Sequence, residues 1–178
     1  SSGNRVVRTP NFDRLAAQGL VFDNAFASHP LCSPYRAQIM TGKYGFANGV
    51  PDNEYLPWDN QVTLPRALKP AGYRTAFIGK WHLGHGPYPE EKRQGFDYMA
   101  AYNCDHNYYQ IKYCENDSEP IGFNKFAPEG ETDLAIKFME DHVKHNNDSP
   151  FALLMGWGPP HWNGVGGRNT DLGQPVFA

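Results

Sequence analysis

Five residues of this sequence are of types and in places that can do chemistry. Cys32 and Arg36 stand four apart in Cys32-Ser33-Pro34-Tyr35-Arg36, a spacing that sets them one turn apart on a helix. Lys80 and His82 stand two apart in Gly79-Lys80-Trp81-His82-Leu83-Gly84, and His161 follows Pro159-Pro160. A thiol offers a nucleophile, an arginine and a lysine hold negative charge, and imidazoles move protons near neutral pH. Each residue taken singly also has an ordinary reading. A lone cysteine is most often a small buried hydrophobe, Arg36 a solvated charge, Lys80 a stem laid along Trp81, and a lone histidine a satisfied polar group. A zinc site is disfavoured, because His82, His85 and His106 show neither H-x-x-x-H nor C-x-x-C spacing.

Helices and strands must position these residues. Thr9-Pro10 opens a helix that Gly19 stops, with Phe12, Leu15 and Ala16 on one face. Leu20 to Ala27 is expected as a strand. Ser33-Pro34 starts a second helix that reaches about Met40 and ends at Gly42. Residues 45–61 are turn-rich and read as a surface loop. Thr63 caps a short helix through Lys69, stopped by Gly72, and Arg74 to Gly79 is a short strand. From Lys80 to Gly130 no period is clear. Thr132 to His145 is a helix, with Leu134, Ala135, Phe138, Met139 and His142 at helical spacing. Phe151 to Met155 is a continuous apolar run, as expected of a strand covered on both faces.

Strands alternating with helices imply an α/β fold with a mostly parallel sheet sandwiched by helices. In such sheets ligands bind beyond the carboxyl ends of the strands. His29, Cys32 and Arg36 follow the first expected strand, Lys80 and His82 the second, and His161 the third. The same edge of the sheet should therefore gather all of them.

Composition bounds the rest. A formal net charge of −3 over 178 residues, with no basic run longer than Lys92-Arg93, gives no electrostatic case for nucleic acid or an anionic membrane. No apolar stretch approaches the roughly 20 residues of a membrane span. The opening SSGNRVV is not a signal peptide. Cys104 and Cys114 bracket DHNYYQIKY. They read either as a disulfide, which would imply an oxidising compartment, or as two free thiols. The aromatic cluster Tyr102, Tyr108, Tyr109 and Tyr113 reads as packing before it reads as a sugar platform.

Two motifs extend this picture. Cys32-Ser33-Pro34-Tyr35-Arg36, continuing AQIMTGKY, resembles the sulfatase signature C-x-P-x-R followed by a hydrophobic residue, Thr and Gly. Gly79-Lys80-Trp81-His82-Leu83-Gly84 resembles the second signature of the same family. TPNFDRLAAQGLVFDNAFA and PFALLMGWGPPH are similar to the family's flanking helix-strand and its later strand ending in Pro-His. The resemblance runs from about residue 8 to 161 and is weakest between 98 and 130.

The resemblance implies an alkaline-phosphatase-like α/β fold and hydrolysis of a sulfate monoester, aryl or carbohydrate. It implies that a maturation enzyme oxidises Cys32 to formylglycine, whose hydrate attacks sulfur with one hydroxyl and ejects sulfate through the other. It further implies that Arg36 holds the hydrated aldehyde, that Lys80 bridges nucleophile and sulfate, and that His82 is the base. His161 would contact the sulfate or the leaving oxygen. A calcium ion with position 32 among its ligands is implied, as is a periplasmic, secreted or lysosomal location. The chain departs from the family pattern at Tyr35, where serine is usual, and no Asp-Asp pair precedes Thr9. It is therefore expected as an incomplete fragment: a partial catalytic domain over 1–161 without its first strand, a Gly-rich tail over 162–178, and little activity alone. The same signatures also suit a sister hydrolase of phosphonate monoesters or phosphodiesters, or a non-catalytic relic that keeps an unmodified Cys32.

Overall fold

The computed structural model describes residues 4, 6–53, 55–57, 59–146 and 148–161, without the side chain of residue 146. The Gly-rich tail over 162–178 lies outside them. The described residues divide into two compact units, one up to residue 27 and the other from residue 28.

In the first unit, α1 spans Pro10–Gln18 with its proline in the first turn, where a missing N–H costs nothing. The strand expected over Leu20 to Ala27 does not form. A strand exists through its ladder, and no described strand pairs with this segment. Its apolar side chains are correspondingly exposed, Phe26 to 89%. Apolar patterning alone does not make an element.

The second unit begins with α2 (Cys32–Thr41), which ends where Gly42 takes the left-handed conformation at φ 67°. Ser33, Ala37 and Met40 form its buried stripe. The loop read over 45–61 contains one short helix, α3 (Gly45–Asn48). Further on come α4 (Leu64–Leu68) and a 3₁₀ turn over Lys69–Ala71, stopped by Gly72 at φ 81°. Thr63 does not cap α4 through its side chain, because its hydroxyl donates to the Gln94 carbonyl instead.

The sheet has five strands in the order β4-β3-β2-β1-β5. They are β1 (Arg74–Lys80), β2 (Tyr98–Tyr102), β3 (Lys112–Glu115), β4 (Ile121–Gly122) and β5 (Phe151–Gly156). β2, β1 and β5 run parallel, while β3 and β4 add antiparallel strands on one flank. The fold is thus α/β, with a mixed, mostly parallel sheet. The unreadable stretch over 80–130 holds three strands, each too short or too fully covered to show a period.

Alternation across the sheet separates two cores. Phe77, Met99, Ala101 and Leu154 face Ala37 and Met40 of α2. Ile78, Ala100, Leu153 and Met155 face Leu134 and Ala135 of α5 (Ala127–Asn146). α5 starts five residues before the helix read from the sequence, since Pro128 sits in its first turn, where proline is tolerated. Gly130, within that turn, leaves room for the Phe123 ring, which a Cβ would meet at 2.4 Å. β5 is half-buried rather than fully covered, because among the described residues it pairs only with β1 and forms the sheet's edge. Cys104 and Cys114 are free thiols, the first exposed and the second buried, and not a disulfide.

Candidate functional site

The three parallel strands end at one edge, and the segments leaving those ends are tied to one another. Beyond β1, Trp81 N–H donates to the Tyr102 carbonyl at 2.8 Å and His82 N–H to the Asn103 carbonyl at 3.0 Å. The Trp81 ring packs edge-on against Phe77 and Phe96, so the segment between Lys80 and His82 is anchored from below. His82 takes φ 52°, a left-handed conformation that a residue with a Cβ adopts at some cost. Ser33 Oγ donates to its carbonyl at 2.7 Å. Two hydrogen bonds to its backbone therefore hold the strained residue, and one of them comes from the first turn of α2.

That first turn also presents Cys32. It does not follow a strand end, as the sequence suggests. α2 is placed instead by its buried stripe and by the Ser33 bond. Lys80 Nζ lies 3.8 Å from Cys32 Sγ. One turn along α2, the Arg36 guanidinium donates a short hydrogen bond to the Lys80 carbonyl. Gly156, at the end of β5, leaves space for it, since a Cβ there would come within 3.1 Å of Arg36 Nη1. Burial pulls Arg36 below its ordinary value, with an opposing contribution from Cys32. Lys80 is 1% exposed. Neither cation makes an ion pair with a carboxylate among the described residues.

His106 completes the cluster. It lies in the loop after β2, and its Nε2 is 3.2 Å from Lys80 Nζ. Its ring stacks flat on His161, with centroids 4.2 Å apart and planes 7° from parallel. Burial, then the Lys80 ammonium and His161, push its pKa down to about 4. His161, exposed in the turn after β5, is held by its carbonyl, which accepts from the Tyr108 hydroxyl at 2.7 Å. Gly158 lets that turn lie on Tyr102 and Tyr108, whose atoms a Cβ would meet at 2.7 and 2.5 Å.

Of the residues singled out in the sequence, Cys32, Arg36 and Lys80 thus meet directly. His161 joins them through His106, and His82 through the backbone of its segment. His29 is exposed and, among the described residues, its side chain makes no hydrogen bond or ring contact with the cluster. His106 lacks metal-ligand spacing and carries no motif of its own. The signal that could have found it is its position just past a strand end, and that strand, β2, is not legible in the sequence. Among the four tyrosines, Tyr102 and Tyr113 pack edge to face in the core, whereas Tyr109 is exposed. Beside His82 a pocket of about 170 Å³ is lined by Tyr55, Leu56, Gly84, His85 and Asn103.

The described residues around position 32 do not fit a calcium ion. Its ligands are oxygens, mostly carboxylates, and the groups at hand are a lysine, an arginine and an imidazole. No group of three His, Cys, Asp or Glu suited to a metal occurs among the described residues. Asp97 and Asp133 pair with Lys69 and Lys125 elsewhere. A buried lysine and a half-buried arginine with no carboxylate partner among the described residues, beside a half-buried thiol, make instead a seat for an anion.

A family model described as Sulfatase matches residues 1–167. The ulvan-active sulfatase of Formosa agariphila is 37% identical over 167 residues, covering 90% of this chain and 32% of that protein. The N-acetylglucosamine-6-O-sulfatase of Bacteroides thetaiotaomicron is 38% identical over 164 residues, covering 90% of this chain and 28% of that one. A solved structure of a protein in complex with its substrate D-glucosamine-2-N,6-O-disulfate shares 38% identity at a TM-score of 0.78, with 90% of this chain and 31% of that chain covered. The chain spans about a third of the length of the curated relatives it matches.

Proposed function

The chain belongs to the sulfatase family, and on that premise we propose that the whole protein hydrolyses a sulfate monoester of a carbohydrate, with position 32 as the nucleophile. The observation that carries this reading is the pairing of buried Lys80 and half-buried Arg36, which lack a carboxylate partner among the described residues, with the Lys80 ammonium 3.8 Å from Cys32 and the Arg36 head on the Lys80 carbonyl. A sulfate group brings the charge that such a pair lacks. The sugar is supported by the relatives, which are carbohydrate sulfatases by name, and by the pocket beside His82. Tyr55 and Leu56 would offer it an apolar wall, and Asn103 and His85 would offer polar groups.

Oxidised to formylglycine, position 32 would supply a hydrated aldehyde, with one hydroxyl to attack sulfur and a second to release the sulfate. Lys80, fixed at the end of β1, sets its ammonium against that position and neutralises charge as the ester bond breaks. Arg36 adds a second fixed charge from one turn along α2. His82, with its backbone held on both sides, is the base we assign for proton removal at position 32. To His161, in the exposed turn, we assign contact with the sulfate or the leaving oxygen. A calcium ion at position 32 would have to draw its oxygen ligands from outside the described residues, and no step here runs through one. Substrate and family together support action in a periplasmic, secreted or lysosomal setting. No helix of the described residues is long and apolar enough to cross a membrane.

The test is to produce the full-length gene product with a formylglycine-generating enzyme. The peptide carrying position 32 should then be about 18 Da lighter than its cysteine form, a mass change set by the thiol's replacement. The protein should release sulfate from N-acetylglucosamine 6-sulfate, and Cys32→Ala should cost roughly 10³-fold or more in kcat. An unmodified mass without sulfate release would leave only a relic of the fold.

A further inference from the structure

Lys80 is a lysine taken almost wholly out of water, and a buried ammonium must be met by acceptors. Among the described residues, the side chains within its reach are Cys32 and His106. An ammonium has three protons to give and no lone pair. At 3.2 Å the Nε2 of His106 therefore has to be the acceptor, with the ring neutral and its proton on Nδ1. That assignment agrees with the surroundings, which keep the imidazole uncharged down to about pH 4. The ring is also locked in place. It lies flat against His161 and meets Tyr108 edge-on at 6.4 Å and 82°, and Tyr108 is bonded in turn to the His161 carbonyl. The loops after β2 and β5 thus clamp an acceptor against the same Lys80 ammonium that meets Cys32.

We propose that His106 is a positioning residue of the site: its Nε2 holds the Lys80 ammonium against side chain 32, leaving another ammonium proton for the sulfate oxygen. The proposal rests on the sulfatase reading above. It adds a residue that neither sulfatase signature contains, and a reason for the otherwise unexplained histidine stack. His106 touches no reacting atom. A lysine with its long flexible stem is a poor catalyst unless its head is fixed, and displacement of a catalytic group by about 1 Å costs on the order of 10²-fold.

The experiment has two arms, both on the matured full-length protein. In the first, His106→Phe keeps the ring and loses the acceptor. His106→Asn keeps an amide too short to reach Lys80, and His106→Gln places an amide oxygen near the position of Nε2. The expected result is a fall in kcat of about 10- to 100-fold for Phe and Asn with a smaller change in KM, and recovery of most of that loss by Gln. If the Phe variant does not fold, the Asn and Gln pair still decides, since they differ by one methylene. The proposal is overturned if Phe and Asn stay within about threefold of the parent, or if Gln is no better than Asn.

In the second arm, long-range ¹H–¹⁵N NMR of histidine-labelled protein at pH 7 should show the His106 signal, identified by its loss in His106→Gln, as neutral and protonated on Nδ1. In Lys80→Met the proton should move to Nε2 or exchange between both nitrogens. An Nε2-protonated or a cationic His106 in the parent sinks the contact itself. A parent that hydrolyses no sulfate ester removes the reaction that His106 is said to serve, and the NMR arm then shows separately whether the Lys80 contact stands.

Discussion

At the scale of single residues, the site is a set of charges and one conspicuous absence of charge. His106 is neutral in the folded protein down to about pH 4, whereas in an unfolded chain a histidine takes its proton near pH 6.5, by its reference value of about that. Between those pH values the unfolded chain binds more protons at this residue, so the His106 contribution to stability should fall as pH drops from about 6.5 to about 4. Denaturant midpoints at pH 7, 5.5 and 4.5 should show His106→Gln losing less stability than the parent over that range. Arg36 gives a second expectation. It reaches the Lys80 carbonyl through a planar, multiply donating head, which an ammonium does not replace. Under the function proposed above, Arg36→Lys in the full-length protein should therefore lower kcat/KM on a sulfate ester by about 10²-fold, the effect of losing one fixed donor. Cys32, Arg36, Lys80, His82 and His161 can be picked from the sequence because each lies in a recognisable run. His106 and Tyr108 cannot, since only the third dimension sets them beside Lys80 and His161.

At the scale of elements, the helices are more legible than the sheet, and the reason is periodicity. α5 shows its stripe of Ala135, Phe138 and His142, whereas β2, with both faces buried, reads as YMAAY and shows no alternation. α5 also carries a load invisible in sequence. Glu131 is fully buried, accepts from the Tyr113 hydroxyl at 2.7 Å, and has one carboxyl oxygen without a partner among the described residues. Burial pushes its pKa up to about 7. A carboxyl raised in this way takes up a proton on folding, so its contribution is fully present below the unfolded value of about 4.3 and is lost as pH rises through about 7. Between pH 5 and pH 8 the unfolding midpoint of Glu131→Gln should therefore rise relative to that of the parent. β1 and β5 meet at their ends through two glycines, Gly79 and Gly156. Gly79 has φ 111°, and a Cβ on it would come within 2.5 Å of the Gly156 carbonyl oxygen. Gly79→Ala should cost about 2–4 kcal/mol in chemical denaturation, the range for a strained backbone with a hard clash.

At the scale of the whole molecule, the central parallel strands and the helices on both faces are readable from the alternation of elements. The antiparallel flank and the edge position of β5 are not, because pairing order leaves no trace in a single strand's residues. Among the described residues β5 offers an unpaired edge of six residues with a largely apolar sequence, and such an edge is a template for another chain. This 178-residue chain, produced by itself, should sediment as a concentration-dependent distribution of species; a single monomer boundary from low to high micromolar would contradict that. The place of β5 has a further consequence, in time. Its partner β1 lies far back along the chain, and the whole of β2, β3, β4 and α5 must be looped out before the two can zip together, so this closure comes late. Only then does the turn bearing His161 come down on the loop bearing His106. In a refolding time course, the far-ultraviolet signal of the helices should recover first, and the native NMR signals of the stacked His106 and His161 rings should return as a separate, slower phase.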